Sequence, residues 1–214
     1  MEDALLLAMA DLDEQKTFEL VTERIRTGFT PLEIVETCKR GVEIVGKRYN
    51  EGVYFLADLV MSEEMFKGVM QILEPLIPMD FPQNGIPIVM GTIEGDIHDL
   101  GKNITIYLLR SHGFHVLDLG VDVAPEKFVQ AVNDTGAPIL GISVLLSFCV
   151  GAIKKVVDLL QESGLKDQVK VIAGGYPVNQ EVKEFTQVDY ITKDVTQVLD
   201  ICRLILKDRE LKKN

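Results

Sequence analysis

From residue 86 onward, short apolar runs alternate with amphipathic stretches, and this rhythm limits the fold more than any other feature. Apolar runs fall at 86–90, 114–119, 139–143, 169–173 and 188–191. Helical patterns fall between and after them, at 99–112, 125–133, 150–161, 182–186 and 195–206. Strands apolar on both faces, each followed by a helix, imply a parallel sheet covered on both sides. For the order 2-1-3-4-5, a ligand is expected beyond the carboxyl ends of the first and third strands, where the winding reverses.

Residues 1 to about 80 have a different texture. Apolar residues recur at helical spacing through Phe18, Val21 and Ile25, then Leu32 and Val35, then Val42, Val45 and Tyr49. Thr30-Pro31-Leu32-Glu33 reads as an N-cap, a first-turn proline and a capping-box glutamate. With a short helix at 5–9 and another at 55–73, the pattern gives a compact bundle of four or five helices. The Pro-, Asn- and Gly-rich segment 78–85 is the expected linker. The expected domains are therefore 1–82, helical, and 86–214, α/β.

Charge narrows the partners. Lys plus Arg is 22 and Asp plus Glu is 33, a net charge of −11. That excess argues against nucleic acid and against an anionic membrane surface. It is uneven: residues 1–85 hold 16 acids and 8 bases, and residues 86–214 hold 17 and 14. No apolar run reaches the ~18 residues of a membrane span, and the start is acidic rather than the basic opening of a signal peptide. Cys38, Cys149 and Cys202 lie far apart with no CxxC spacing, which points to a reducing cytoplasm.

The unusual residues gather at the expected ligand edge. The segment from Gly91 to Asn103 is longer and more polar than the ~2–6 residues of a typical βα connection. It lacks both the dinucleotide and the P-loop fingerprints. It sets one imidazole, His98, between the carboxylates of Asp96 and Asp99. One histidine does not make a zinc site, but a metal held by a macrocycle needs only one axial protein ligand. His112 and His115 straddle a predicted helix end and read as turn residues, and Cys149 as a small core residue. Lys102-Asn103 fits either an exposed first turn or a contact to a cofactor phosphate or amide.

These residues carry a family resemblance. Asp96-x-His98-x-x-Gly101, 41 residues, Ser143-x-Leu145, 28 residues, then Gly174-Gly175 resembles the cobalamin-binding signature DxHxxG…SxL…GG. The whole chain is similar to the corrinoid proteins of anaerobic methyltransferase systems and to the cap and cobalamin modules of cobalamin-dependent methionine synthase. Residues 41–46 and 54–62 resemble the helical cap. The resemblance implies a helical bundle cap followed by a Rossmann-like (flavodoxin-like) five-stranded parallel sheet with helices on both faces. It also implies cobalamin bound base-off, with His98 as the axial cobalt ligand.

In that reading Asp96 accepts from His98, Ser143 hydrogen-bonds Asp96, and these three form the working chain of the site. Gly95, Ile97, Asp99, Gly101, Leu145, Ser147, Gly174, Gly175 and Tyr176 line the cofactor. Leu59, Met61, Met65 and Phe66 are candidates to cover its upper face, with a hinge near 78–85. Tyr176 and the bulky Leu146-Ser147-Phe148 stand where the family commonly has smaller residues.

The implied function is methyl carriage through Co(I) and methylcobalamin. A substrate-specific methyltransferase would load the methyl group and a second methyltransferase, acting on tetrahydrofolate or a thiol coenzyme, would remove it. A reductive activation protein would restore Co(I). A cobalamin-sensing regulator and the carrier subunit of a mutase are the alternatives. The first lacks a visible DNA-binding segment, and the second is disfavoured by the cap.

Overall fold

A computed structural model describes residues 3–76 and 85–211. The linker expected at 78–85 lies outside them except for Gly85. The chain divides into two compact units, Met1–Met79 and Asp80–Asn214.

The first unit contains α1 (Ala4–Ala10), α2 (Glu14–Arg26), α3 (Pro31–Asn50) and α4 (Leu56–Leu73). Asp3 caps α1 by accepting from the amides of Leu5 and Leu6. Thr30 and Glu33 form the reciprocal capping box ahead of α3, with Pro31 in the first turn. The two bonds satisfy amides that a helix start otherwise leaves unpaired. The apolar faces bury Leu5, Met9, Val21, Ile34, Val45, Met65, Phe66 and Leu73. Gly41 lets α1 and α3 approach closely, since a Cβ there would lie 2.6 Å from that of Met9.

In the second unit, β1 (Pro87–Thr92), β2 (His115–Asp118), β3 (Ile139–Ser143), β4 (Lys170–Gly174) and β5 (Tyr190–Thr192) alternate with helices. These are α5 (Leu100–Ser111), α6 (Pro125–Thr135), α7 (Val150–Glu162), α8 (Gln180–Thr186) and α9 (Val195–Leu211). The sheet order is β2-β1-β3-β4-β5, and every pairing is parallel. Val89, Leu140, Val171 and Ala173 join Phe128, Ile153, Val156 and Leu160 from α6 and α7 in one core cluster. The expected fold is therefore present, down to strand order.

Two boundaries differ from the sequence expectation. β1 continues through Gly91 to Thr92, so only Ile93–Asp99 connects it to α5. Gly91 pairs with Ile142 in the ladder, and its missing side chain leaves room for Phe128, which would lie 2.9 Å from a Cβ there. α9 runs to Leu211 rather than ending at 206, so Lys207 and Arg209 are helical. Leu, Lys, Arg and Glu are good helix formers, and no glycine or proline interrupts them.

The register sets the site. Thr92 pairs with Ser143, and Ser143 with Gly174, so three adjacent strands end level. The loops that follow all leave from this one edge.

Candidate functional site

Asp96 is the centre of the edge. It is fully buried, and both carboxylate oxygens are engaged. Oδ2 accepts from the backbone amides of Leu145 at 2.6 Å and Leu146 at 3.0 Å, just past the end of β3. Oδ1 accepts from the backbone amide of His98 at 3.1 Å and lies 2.6 Å from His98 Nδ1. Burial opposes ionisation, but the Leu145 amide, the His98 ring and the further amides hold the carboxyl below its ordinary value. An ionised Asp96 only accepts, so Nδ1 carries a proton toward it; in the neutral ring the free lone pair is then on Nε2. The His98 side chain is 43% exposed, and among the described residues its Nε2 has no partner. Thr92 Oγ1 donates to the His98 carbonyl at 3.1 Å, which fixes the far end of the loop.

Ser143 does not take the role expected of it. Among the described residues the donors to Asp96 are His98, Leu145 and Leu146, and the Ser143 hydroxyl is not one of them. Ser143 is the last residue of β3, and its carbonyl instead accepts from Ile93 at 3.0 Å. The chain turns after Ser143 so that the next amides, not the side chain, meet the carboxylate.

The other expected residues divide into groups. Gly95 has φ +82°, and a Cβ there would lie 3.2 Å from Cys149 Sγ. Asp99 precedes α5 and gives it no side-chain bond; its carbonyl accepts from Asn103. Gly101, on the first turn of α5, faces open space. Ile97 (69% exposed), Leu145, Phe148 and Tyr176 form exposed apolar surface on the loops of this edge, with Ser147 also exposed. Lys193 Nζ stands 5.4 Å from the Tyr176 ring centroid.

The glycine pair has two distinct roles. Gly175, at φ +133°, is required by the chain itself, because a Cβ would lie 1.7 Å from the Val144 carbonyl oxygen. At Gly174 a Cβ would make only an ordinary 3.7 Å contact with the Thr192 carbonyl oxygen.

In the helical unit, Met61 is 42% exposed and Leu59 half-buried, whereas Met65 and Phe66 are buried. Met65 and Phe66 fall on the core stripe of α4 with Val69 and Leu73. They offer no surface to a ligand. Val53, Phe55, Leu56, Val60 and Met61, at and just before the start of α4, are exposed apolar residues of this unit.

Lys102 is not available to a cofactor phosphate. Its ammonium is buried, 2.7 and 2.9 Å from the two Asp118 oxygens and 2.7 Å from Asn103 Oδ1. His112 closes α5, with Nδ1 2.8 Å from the Leu108 carbonyl, and His115 is exposed at the start of β2. The Cys149 thiol is pushed up by burial and by the carboxylates of Asp96 and Asp122.

Three participants had no residue-type signal strong enough to single them out: Thr92, the Leu145–Leu146 amides, and Asp122. Asp122 Oδ1 accepts from the Gly95 amide at 2.7 Å, and its own amide donates to the Asp96 carbonyl at 2.9 Å.

Among the described residues no group of three or more His, Cys, Asp and Glu side chains is placed to hold a metal ion. One free imidazole nitrogen beside exposed apolar side chains fits instead a metal that brings its own equatorial ligands. Fold and site together define a cofactor carrier: a doubly wound α/β domain offering a single oriented histidine at its carboxyl edge, preceded by a helical bundle.

Comparison with known proteins agrees. A B12 binding domain model matches residues 86–199, and a second B12 binding domain model matches residues 1–74. The chain belongs to the B12-binding family of corrinoid proteins, and its cofactor is a corrinoid. A corrinoid protein of Desulfitobacterium hafniense (strain Y51) is 39% identical over 185 residues, covering 83% of this chain and 84% of that one. The structure of the Methanosarcina barkeri monomethylamine corrinoid protein superposes with a TM-score of 0.83 at 28% identity, covering 94% of this chain and 95% of that one. The crystal structure of the methanol:cobalamin methyltransferase complex MtaBC from Methanosarcina barkeri is matched with a TM-score of 0.56 at 28% identity, covering 95% of this chain and 78% of that chain.

Proposed function

We propose that this protein is the methyl-carrying corrinoid subunit of a methyltransferase system, and that it holds cobalamin base-off with His98 as the axial ligand. The observation that carries the reading is the Asp96–His98 pair. A buried carboxylate, fixed by two backbone amides, orients one imidazole whose Nε2 is free and accessible. A bound corrinoid supplies a cobalt centre able to accept a methyl group from one protein and release it to another.

This chain's part is to bind, orient and manage a proton. Asp96 holds the Nδ1 proton and so keeps Nε2 a donor of its lone pair. The contact fixes the ring, so Nε2 is presented in one orientation. Gly95, Ile97, Asp99, Gly101, Ser143, Leu145, Ser147, Gly174, Gly175 and Tyr176 are proposed to line the cofactor, with Gly101 and Gly174 leaving room for it. Within 1–82, the covering role falls to Met61 and its exposed apolar neighbours rather than to Met65.

The partners follow from the relatives. One matched solved structure is named for methanol transfer and another for monomethylamine. A shared carrier architecture with different donors supports a substrate-specific methyltransferase that sets the donor. A second methyltransferase, using tetrahydrofolate or a thiol coenzyme, and a reductive activator complete the proposed cycle. The three free cysteines support a reducing cytoplasm as its compartment.

The test is reconstitution of the purified chain with hydroxocobalamin under reducing conditions. The wild type should yield a coloured complex whose visible spectrum shows the nucleotide base displaced by histidine. His98→Ala should retain the fold and lose that signature. An unchanged spectrum in His98→Ala removes the axial role; a colourless wild type removes the reading altogether.

A further inference from the structure

The loop bearing Asp96 and His98 is gripped by a neighbouring loop. The connection between β2 and α6 runs beside it: Val123 pairs with Ile93 in a parallel bridge and donates to the Thr92 carbonyl at 3.0 Å. At the tip of this connection Asp122 has φ +52°, a left-handed backbone that is unfavourable for residues with a Cβ although aspartate tolerates it better than most. Asp122 is exposed, so core packing does not force that conformation. It makes two bonds to the site loop. Its carboxylate accepts from the Gly95 amide, and its amide donates to the Asp96 carbonyl. One residue therefore grips the backbone on both sides of the Asp96 Cα.

We infer that Asp122 is a positioning residue: it fixes the backbone from which the Asp96 carboxylate projects, and so sets how firmly His98 engages a metal. This rests on the reading of His98 as the axial ligand. The Leu145 and Leu146 amides fix one carboxylate oxygen, but the aim of the other, toward His98, also depends on the backbone torsions around Asp96. Asp122 supplies that restraint from outside the signature motifs.

Three substitutions separate the clamp from backbone strain. Asp122→Asn keeps an oxygen acceptor and tolerates the left-handed backbone. Asp122→Gly accepts the backbone but has no side-chain acceptor. Asp122→Ala lacks both. The readouts are hydroxocobalamin affinity, the histidine-ligation signature in the visible spectrum, and the melting temperature without cofactor. Asp122→Asn should match the wild type. Asp122→Gly should melt near the wild type yet bind about tenfold more weakly, with reduced histidine ligation, as expected when support for a metal ligand is lost. Full affinity and an unaltered spectrum in Asp122→Gly overturn the inference, as does an Asn variant as weak as Gly. If Asp122→Ala fails to fold, the Asn and Gly pair still decides. His98→Ala, measured in parallel, tests the underlying reading. If it changes the spectrum while Asp122→Gly does not, only the positioning role fails.

Discussion

Asp96 Oδ2 and the backbone amide of Leu145, 49 residues apart in sequence, meet at 2.6 Å. That bond ties the loop after β1 to the loop after β3 across the point where the sheet's winding reverses. Because the donors are amides, Asp96 stays an acceptor and leaves His98 only one tautomer.

Asp96→Asn tests this logic. The amide oxygen can still take the Leu145 and Leu146 amides, which places its NH2 toward His98 Nδ1 and deprives the His98 backbone N–H of its acceptor. The imidazole must then accept at Nδ1 and carry its proton on Nε2, where a metal would bind. The fold should survive, while hydroxocobalamin affinity falls about 10- to 100-fold and the histidine-ligation signature disappears. Equilibrium titration followed by visible absorbance measures both.

The two glycines should separate. Gly175→Ala forces a Cβ into the Val144 carbonyl and should destabilise the protein by about 3 kcal/mol or more in urea denaturation. Gly174→Ala meets only an ordinary contact and should leave the unliganded protein within about 1 kcal/mol of wild type. Its effect should show in weakened hydroxocobalamin binding. Equal destabilisation by both would contradict the distinction.

The Lys102–Asp118 pair should be asymmetric. The Lys102 side chain is 2% exposed and Asp118 31% exposed. Asp118→Ala strands a buried ammonium with only Asn103 and should cost about 3 kcal/mol. Lys102→Met leaves a carboxylate that water reaches, and should cost less. Urea denaturation of both variants, without cofactor, gives the order.

Acid stability should depend on Asp189. Burial opposes its charge, but Lys166, the Val171 amide and Lys170 hold its carboxyl below the ordinary value of 3.8. A folded-state value below the unfolded one stabilises the protein above 3.8, and that contribution is lost as pH falls through the lower folded value. Asp189→Asn should therefore be less stable near neutrality and lose less stability through the same acid range. Thermal melts from neutral pH downward compare the two slopes.

Much of this was readable from residue types. The Thr30–Glu33 capping box follows from a local four-residue pattern, and the parallel sheet from the alternation after residue 86. Adjacency in one short loop offers His98 two carboxylates, Asp96 and Asp99; the family resemblance singles out Asp96, and the structure pairs His98 with it. What escaped was of another kind. Backbone amides have no residue signature, so Leu145 and Leu146 were visible only as apolar side chains, and the hydroxyl of Ser143 drew the role that their N–H groups fill. By sequence Lys102 fits either an exposed first turn or a cofactor contact, because its partner, Asp118, lies at the end of another strand. Asp122 resembled any loop aspartate until its backbone conformation was known. Met65 and Met61 share a helix and a chemistry, and only packing shows that one is interior and the other at the surface.

Anchoring the carboxylate through the main chain makes the hold on Asp96 independent of which side chains stand at 145 and 146, with one exception: proline at either position would remove the donor. At the exposed Leu145 the side chain can therefore vary without loosening Asp96 and, through it, the orientation of His98.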